Sequence, residues 1–198
     1  LAALAAPATA LTQPSLLALY QNRSDTSYRL HDIIGNTPLG GALTDCCRTV
    51  SGTLTFNPAV REILLVQHTD TGQELVRISA ISGAVIGRAT IGGGWQILAA
   101  AYDRTRATLF GIGRNGAGDR HLVTVTPASG AVTTIGAALP GDFAFVPGGH
   151  GLHPRRGQWH LLGTDDAAGT TQRVVTVALN TGAVLSTVTV IGHAISNL

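Results

Sequence analysis

Hydrophobic and polar residues alternate in short runs along most of this chain, and turn-forming residues separate the runs. Residues 75–91 read LVRISAISGAVIGRATI, with one alternating run on each side of Ser82 and Gly83. Alternation at a period of two is typical of β-strands, whose successive side chains point to opposite faces of a sheet. No stretch shows a sustained helical period, so the pattern predicts an all-β protein.

The same pattern returns three more times. It surrounds Gly130 and Gly182 and, in a weaker form, Gly35, so that the four glycines follow one another at steps of 48, 47 and 52 residues. A period of this length is typical of β-propeller blades of four strands each. The second, third and fourth repeats fit one template: strand A, a turn, strand B, a polar loop, strand C, the glycine turn and strand D.

The first repeat lacks strand A, and the chain ends in a short strand-like segment. We therefore expect residues 193–198 to pair with the first repeat and close a ring of four blades, which leaves no open sheet edge at the junction. The alternative is that this chain is part of a longer propeller. The predicted domain is 15–198, with repeats at about 15–45, 46–92, 93–140 and 141–192. In the first and second repeats, the polar loops between strands B and C are predicted at residues 22–27 and 68–73.

Composition supports a well-packed domain. Of 198 residues, 44% are hydrophobic and 12% charged, and the formal net charge of +2 is too small to indicate a nucleic-acid partner. No stretch reaches the roughly 18 apolar residues of a transmembrane helix.

Residues 1–14, LAALAAPATALTQP, are apolar and uncharged, and they contain a small-x-small triplet at Ala8–Ala10. They are read either as the end of a secretory signal peptide or as an arm that docks on a partner. Both interpretations predict an exported protein, periplasmic or extracellular.

An aromatic-Asx turn, as at Phe56-Asn57 and Tyr102-Asp103, precedes a strand, a polar loop and a [Ser/Thr]-Gly-Ala-Val hairpin. Over residues 15–198 this motif resembles the β-propeller repeats of bacterial exported proteins, including the YVTN, NHL and quinoprotein-like families. The resemblance implies the propeller architecture and identifies no particular member.

The densest polar cluster lies in the fourth repeat. His150, His153 and His160, with Asp165 and Asp166, are candidate ligands of a divalent metal. The alternative is a solvated turn, in which Arg155 and Arg156 contact a partner or a ligand.

The third repeat carries four arginines, whose candidate role is to bind an acidic small molecule at the propeller face; the alternative is a solvated rim. They are Arg104, Arg106, Arg114 and Arg120. Trp95 and Trp159 are either platforms for stacking sugars or residues packed between blades.

Cys46 and Cys47 are adjacent, which excludes the spaced ligands of a zinc site. A vicinal disulfide, two buried thiols and a reactive or partner-linked thiol all remain open.

The sequence holds no G-x-S-x-G elbow and only two glutamates, so neither a nucleophile nor a carboxylate pair is evident. We therefore expect a non-catalytic, cofactor-free scaffold or accessory subunit of an extracytoplasmic assembly. It binds other protein subunits, with residues 1–14 as the candidate contact and a membrane-associated complex as a candidate assembly. The alternatives are a lectin-like or small-ligand propeller and a metal- or quinone-dependent enzyme.

Overall fold

A computed structural model describes residues 17–21, 27–43, 46, 48–141, 144–164 and 171–190. These residues form four antiparallel sheets. Sheet 1 has three strands: β1 (Leu17–Gln21), β2 (Tyr28–Asp32) and β3 (Thr37–Leu43). Sheet 2 has four: β4 (Thr55–Asn57), β5 (Glu62–Thr69), β6 (Gly72–Ser79) and β7 (Val85–Thr90).

Sheets 3 and 4 follow in the same way. Sheet 3 comprises β8 (Gln96–Asp103), β9 (Thr108–Arg114), β10 (Arg120–Val125) and β11 (Val132–Ile135). Sheet 4 comprises β12 (Ala144–His153), β13 (Gln158–Thr164), β14 (Gln172–Ala178) and β15 (Val184–Val190). Within each sheet, strands adjacent in the chain are also adjacent in space. The four strands of sheets 2 to 4 are strands A to D in order, and sheet 1 consists of B, C and D.

The predicted all-β class is confirmed. Among the described residues the helical content is a single 3₁₀ turn, Pro154–Arg156. None of the helical structure in these residues has the length and apolar character of a membrane span. Four meandering sheets of this kind fit a β-propeller.

Apolar side chains pack between consecutive sheets in three clusters. One joins sheets 1 and 2 around Leu30 and Val76, the next joins sheets 2 and 3 around Leu75 and Ile97, and the third joins sheets 3 and 4 around Ile112. Each cluster buries one face of each of its two sheets. This is the packing expected of blades arranged side by side.

In sheets 2, 3 and 4, the repeated glycine is the point at which the C–D hairpin rests on the preceding sheet. Gly83, Gly130 and Gly182 all have φ of about 70°, a left-handed conformation that glycine adopts without strain. A Cβ atom on Gly130 would collide with the carbonyl oxygen of Thr90 in sheet 2. Gly83 meets Leu39 of sheet 1, and Gly182 meets Ile135 of sheet 3, in the same way.

The hydroxyl residue before each glycine stabilises the same hairpin. In sheet 3, the amide of Ala131 donates to Ser129 Oγ (3.3 Å), and the amide of Gly130 donates to the carbonyl of Thr126 (2.8 Å). Ser82 and Thr181 accept the equivalent bonds in sheets 2 and 4. A side-chain oxygen that bonds the backbone two residues on is a standard turn stabiliser. This explains why the motif begins with Ser or Thr.

A buried glutamine connects sheets 2 and 3 through polar contacts. The Gln73 amide accepts a hydrogen bond from the Ile97 backbone N–H (2.6 Å) and donates one to the Ile97 carbonyl (3.2 Å). The polar loop predicted at residues 68–73 is shorter than expected, because β5 and β6 extend to Thr69 and Gly72. Gln73 therefore belongs to a strand, where its side chain is buried against the next sheet.

Strand A of sheet 2 and strand A of sheet 4 each contain an irregularity, and the two irregular segments contact each other. In sheet 2, the chain pairs with β5 at Thr49 and again from Thr55, and the pairing is interrupted between these residues. In sheet 4, the register of β12 with β13 shifts between Phe145 and His150. At the tips, a Cβ atom on Gly52 would lie 2.7 Å from the backbone nitrogen of Gly148. The two bulges thus touch beside strand A of sheet 3.

The four-bladed closed ring is not confirmed, and the described residues form no closed sheet. The predicted closing strand, 193–198, and the N-terminal arm, 1–14, lie outside the described residues.

Candidate functional site

The antiparallel order puts the A–B and C–D turns at one end of the sheets, here called the turn face. The B–C loops and the connections between sheets lie at the opposite end, here called the loop face. Candidate residues are found on both faces.

The A–B turns share a local design. Strand A ends in a residue whose side chain accepts hydrogen bonds from the turn: Asn57 from Ala59, Asp103 from Thr105, and His153 from Arg156. Four residues after each acceptor the backbone is left-handed, at Arg61, Ala107 and Gly157. These caps hold the turns in a fixed conformation and so fix where their arginines project.

Arg106 joins the A–B turns of sheets 3 and 4. Its guanidinium pairs with the fully buried Asp103 carboxylate at 2.6 Å and donates to the carbonyl of Pro154 at 3.0 Å. This brings three candidate arginines to adjoining turns: Arg104 in one, and Arg155 and Arg156 in the other. All three are exposed, and none takes part in an ion pair among the described residues.

The part of the turn face formed by sheets 1 and 2 carries exposed apolar side chains, together with the exposed Arg61. Ile33 and Ile34 in the sheet 1 turn are 48% and 65% exposed, and Val60 in the sheet 2 A–B turn is 56% exposed. Ile81, in the sheet 2 C–D turn, is also exposed. The exposed apolar side chains of the turn face are therefore concentrated over sheets 1 and 2, and three of its exposed arginines lie over sheets 3 and 4.

The three histidines proposed as metal ligands are not brought together. His150 Nε2 lies 2.7 Å from the Gly52 carbonyl, His153 caps its own turn, and His160 Nδ1 lies 3.0 Å from Thr176 Oγ1. No group of three or more His, Cys, Asp or Glu side chains among the described residues is placed to hold a metal. The other suggested ligands, Asp165 and Asp166, lie outside those residues.

The two tryptophans occupy different environments. Trp159 is fully buried, and its indole N–H donates to His150 Nδ1 at 3.3 Å, so its ring offers no face to a sugar. Trp95 is half-buried, packs over Gly113 and makes an edge-on contact with His121, with ring centroids 5.7 Å apart. Interblade packing is therefore the role of Trp159, while stacking at Trp95 stays a prediction.

Cys46 is half-buried against the core between sheets 1 and 2 and is not a free thiol. Cys47 lies outside the described residues, so the vicinal disulfide stays a prediction.

An ion pair within sheet 2 uses an arginine that the sequence did not single out. Arg77 makes a two-pronged contact with the buried Glu62 carboxylate, at 2.9 and 2.7 Å. The hydrogen bond to Glu62 raises the pKa of Arg77 above its usual range, with burial opposing it. This pair secures strands B and C of sheet 2.

Two cavities formed by described residues open on the loop face. The larger, of about 640 Å³, lies between sheets 1 and 2, and its arginines are neutralised: Arg48 pairs with Asp70 and Arg88 with Glu74. The smaller, of about 370 Å³, lies among sheets 2, 3 and 4. Its described lining includes His68, Arg114 and Arg120 but no Asp or Glu.

The four arginines of the third repeat are thus divided between the two faces. Arg104 and Arg106 lie on the turn face, and Arg114 and Arg120 lie at the loop-face cavity. Sequence reasoning grouped them by proximity in the chain. The strand alternation and the A-B-C-D order could have separated them, because Arg106 precedes strand B and Arg114 ends it.

The fold and its glycine hairpins define a β-propeller repeat protein, as the resemblance in the sequence predicted. No protein-family model matches the sequence, and no curated protein matches it significantly. The structure is similar to TolB from Acinetobacter baumannii, with a TM-score of 0.59 and 16% identity over 86% of this chain and 39% of that one.

Two further propellers are similar. Hydrazine synthase from Kuenenia stuttgartiensis gives a TM-score of 0.59 and 8% identity over 88% of this chain and 46% of that one. The Dos1 propeller gives 0.52 and 11% identity over 84% and 42%. The chain therefore spans less than half the length of each of these three structures, and at such identities the similarity establishes the fold alone.

Proposed function

We propose that this protein is a non-catalytic, extracytoplasmic interaction scaffold that binds another protein through its turn face. The observation that carries the proposal is the composition of that face. Exposed Ile34 and Val60 lie on one half and exposed Arg104, Arg155 and Arg156 on the other. Apolar side chains beside arginines are typical of protein interfaces, where Arg is enriched.

The rigidity of the turn face supports this function. Asp103, Arg106 and the Pro154 carbonyl form one connected set of hydrogen bonds, so the turns that display the arginines are fixed relative to each other. A surface ordered before binding loses less conformational entropy when the partner docks. The partner surface expected to match it carries carboxylates beside apolar side chains.

The proposal includes three points that concern the whole chain. Residues 193–198 complete sheet 1 and close a four-bladed ring, residues 1–14 add to the contact with the partner, and the protein works in the periplasm or outside the cell. The contact between Gly52 and Gly148 supports a tight ring, because it joins strand A regions of non-adjacent sheets.

The test is affinity purification of the tagged full chain from its native source, followed by identification of proteins that bind in stoichiometric amounts. The variant carries Arg104→Glu, Arg155→Glu and Arg156→Glu. The matched control is Arg48→Glu, an exposed arginine on the loop face. We expect a partner that is lost from the triple variant and kept by the control. A partner kept by both variants, or none with the wild type, would overturn the proposal.

A further inference from the structure

Strand β15 (Val184–Val190) forms the outer edge of sheet 4. It pairs with β14 on one side, and no strand of the described residues lies on its other side. Its sequence, VLSTVTV, contains no charge, proline or glycine, and five of its seven residues are β-branched. An unpaired edge of this composition offers its backbone N–H and C=O groups to another strand.

The other three strands in position D each have a feature that discourages edge pairing. β3 contains Pro38, which lacks an N–H group, and Gly40, which is left-handed. β7 carries the charge of Arg88, and β11 has only four residues. Proline, charge and short length are the usual means by which natural sheets protect their edges. β15 has none of them.

The following sheet also covers part of the outer edge in sheets 1 to 3. The carbonyl groups of Leu39, Thr90 and Ile135, in β3, β7 and β11, lie against the glycine hairpin of the next sheet. No glycine of the described residues meets β15 in this way. The hairpin of sheet 1 differs from the others, because Gly35 is not left-handed and a Cβ atom on it would lie nearest to side chains of its own hairpin.

We propose that β15 pairs antiparallel with β15 of a second copy of this chain, so that the two copies of sheet 4 form one sheet across a two-fold axis. A register centred on Thr187 places it opposite Thr187 of the partner subunit and includes all seven residues of each strand. In a two-fold pair, a charge near the centre lies close to its own copy and is repelled. β15 carries no such charge, whereas the same pairing of β7 would bring two copies of Arg88 together.

Exposed side chains beside the axis add to this contact. Val184, Leu185 and Val188 are 37%, 52% and 58% exposed, and cross-strand pairs of such side chains stabilise a sheet. One strand pair buries less area than a standard protein interface, so the association is weak. Each copy uses its only β15 edge, so the assembly closes at two copies. The proposal concerns the edge of sheet 4 and does not depend on the turn-face scaffold function.

The experiment measures the mass of the purified full chain by sedimentation velocity, from low micromolar to millimolar concentration. The variants are Thr187→Lys and Thr187→Glu. The control is Thr134→Lys in β11, because Thr134 is also an exposed threonine of a D strand that pairs with a valine of strand C. We expect the wild type and the control to form dimers with a dissociation constant in the micromolar range, and each Thr187 variant alone to stay monomeric. An equimolar mixture of the two Thr187 variants should dimerise, because opposite charges then face each other across the axis.

A second measurement needs no variant. Amide hydrogen exchange in β15 of the wild type should slow about tenfold or more between dilute and concentrated samples, because its outward N–H groups are hydrogen-bonded only in the dimer. Exchange in β11 should not change. A wild type that is monomeric at every concentration, a dimer that survives Thr187→Lys, a monomeric mixture of the two variants, or exchange in β15 that is independent of concentration would overturn the proposal.

Discussion

The Nε2 atom of His150, in strand A of sheet 4, lies 2.7 Å from the carbonyl oxygen of Gly52, which precedes sheet 2 in the chain. On the other side of the ring, the Trp159 indole N–H donates to Nδ1 at 3.3 Å. These two partners require the neutral ring with its proton on Nε2, since a proton on Nδ1 would face the indole N–H. A protonated His150 would keep its bond to Gly52 but lose the bond from Trp159, because Nδ1 could no longer accept.

Stability should fall in mildly acidic solution because of His150. Burial lowers its pKa from the ordinary 6.5, with the Gly52 hydrogen bond opposing the shift. Its described neighbours Gly52, Phe145 and Trp159 carry no charge. Below pH 6.5 the unfolded chain binds a proton that the folded chain does not, so the free energy of unfolding decreases until the folded pKa is passed.

Urea unfolding between pH 8 and pH 5 measures this dependence. His150→Gln can still donate to Gly52 but does not titrate, so its stability should vary less with pH than that of the wild type. His68→Gln, which removes an exposed imidazole on the loop face, is the control for the loss of a histidine. Identical slopes for wild type and His150→Gln would contradict the prediction.

Gly130→Ala should destabilise the protein more than the same substitution at a left-handed glycine that contacts no other sheet. The left-handed backbone, φ 70°, costs an alanine about 1–2 kcal/mol, and the new methyl group also collides with the Thr90 carbonyl. We expect a total loss of about 3 kcal/mol or more in urea unfolding. Gly118→Ala is the matched control, because Gly118 has φ 94° but nothing within 4 Å of its Cβ position. Equal losses in the two variants would show that the contact with sheet 2 adds nothing.

Gln73→Ala should weaken the junction between sheets 2 and 3. It leaves the buried N–H of Ile97 without its partner, which costs about 1–3 kcal/mol. Chemical denaturation should show this loss, whereas Gln96→Ala, at an exposed position one residue before Ile97, should change stability by less than about 0.5 kcal/mol. A Gln73 variant as stable as the wild type would mean that water replaces the amide.

Asp103 has two roles that two substitutions can separate. Asp103→Asn keeps an oxygen to cap the turn but loses the charge that pairs with Arg106, and Asp103→Ala loses both. Because the Arg106 side chain is 38% exposed, the pair is partly screened, and we expect Asn to cost about 1 kcal/mol. Ala should cost about 1 kcal/mol more through the lost cap, as thermal or urea unfolding would show. Equal losses would assign the whole effect to the ion pair.

Features that depend on neighbouring residues in the chain were predictable from the sequence. Alternation identified the strands, and the motif at Ser129-Gly130 identified a hairpin, because both express local backbone and hydrogen-bonding preferences. The acceptor at Asp103 was visible for the same reason. These signals sufficed for the all-β class and the four sheets.

Features that depend on contacts between sheets could not be predicted. His150 and His153 are close in the chain, yet one is held by Gly52 in a distant segment and the other caps its own turn. Gln73 is polar and was therefore assigned to a loop. The two bonds that allow its burial in a strand are made to Ile97 of another sheet, and the sequence does not show them. The cavity at Arg114 and Arg120 needs three sheets to form, and no single repeat contains it.

The placement of the glycine hairpins has a consequence for synthesis of the chain. Gly83, Gly130 and Gly182 each rest on a strand that comes earlier in the sequence, never on a later one. During translation, each of these three hairpins leaves the ribosome after the strand that it contacts. The sheets can therefore be added one at a time from the amino-terminal side, because the strand that each of these hairpins contacts has already been synthesised.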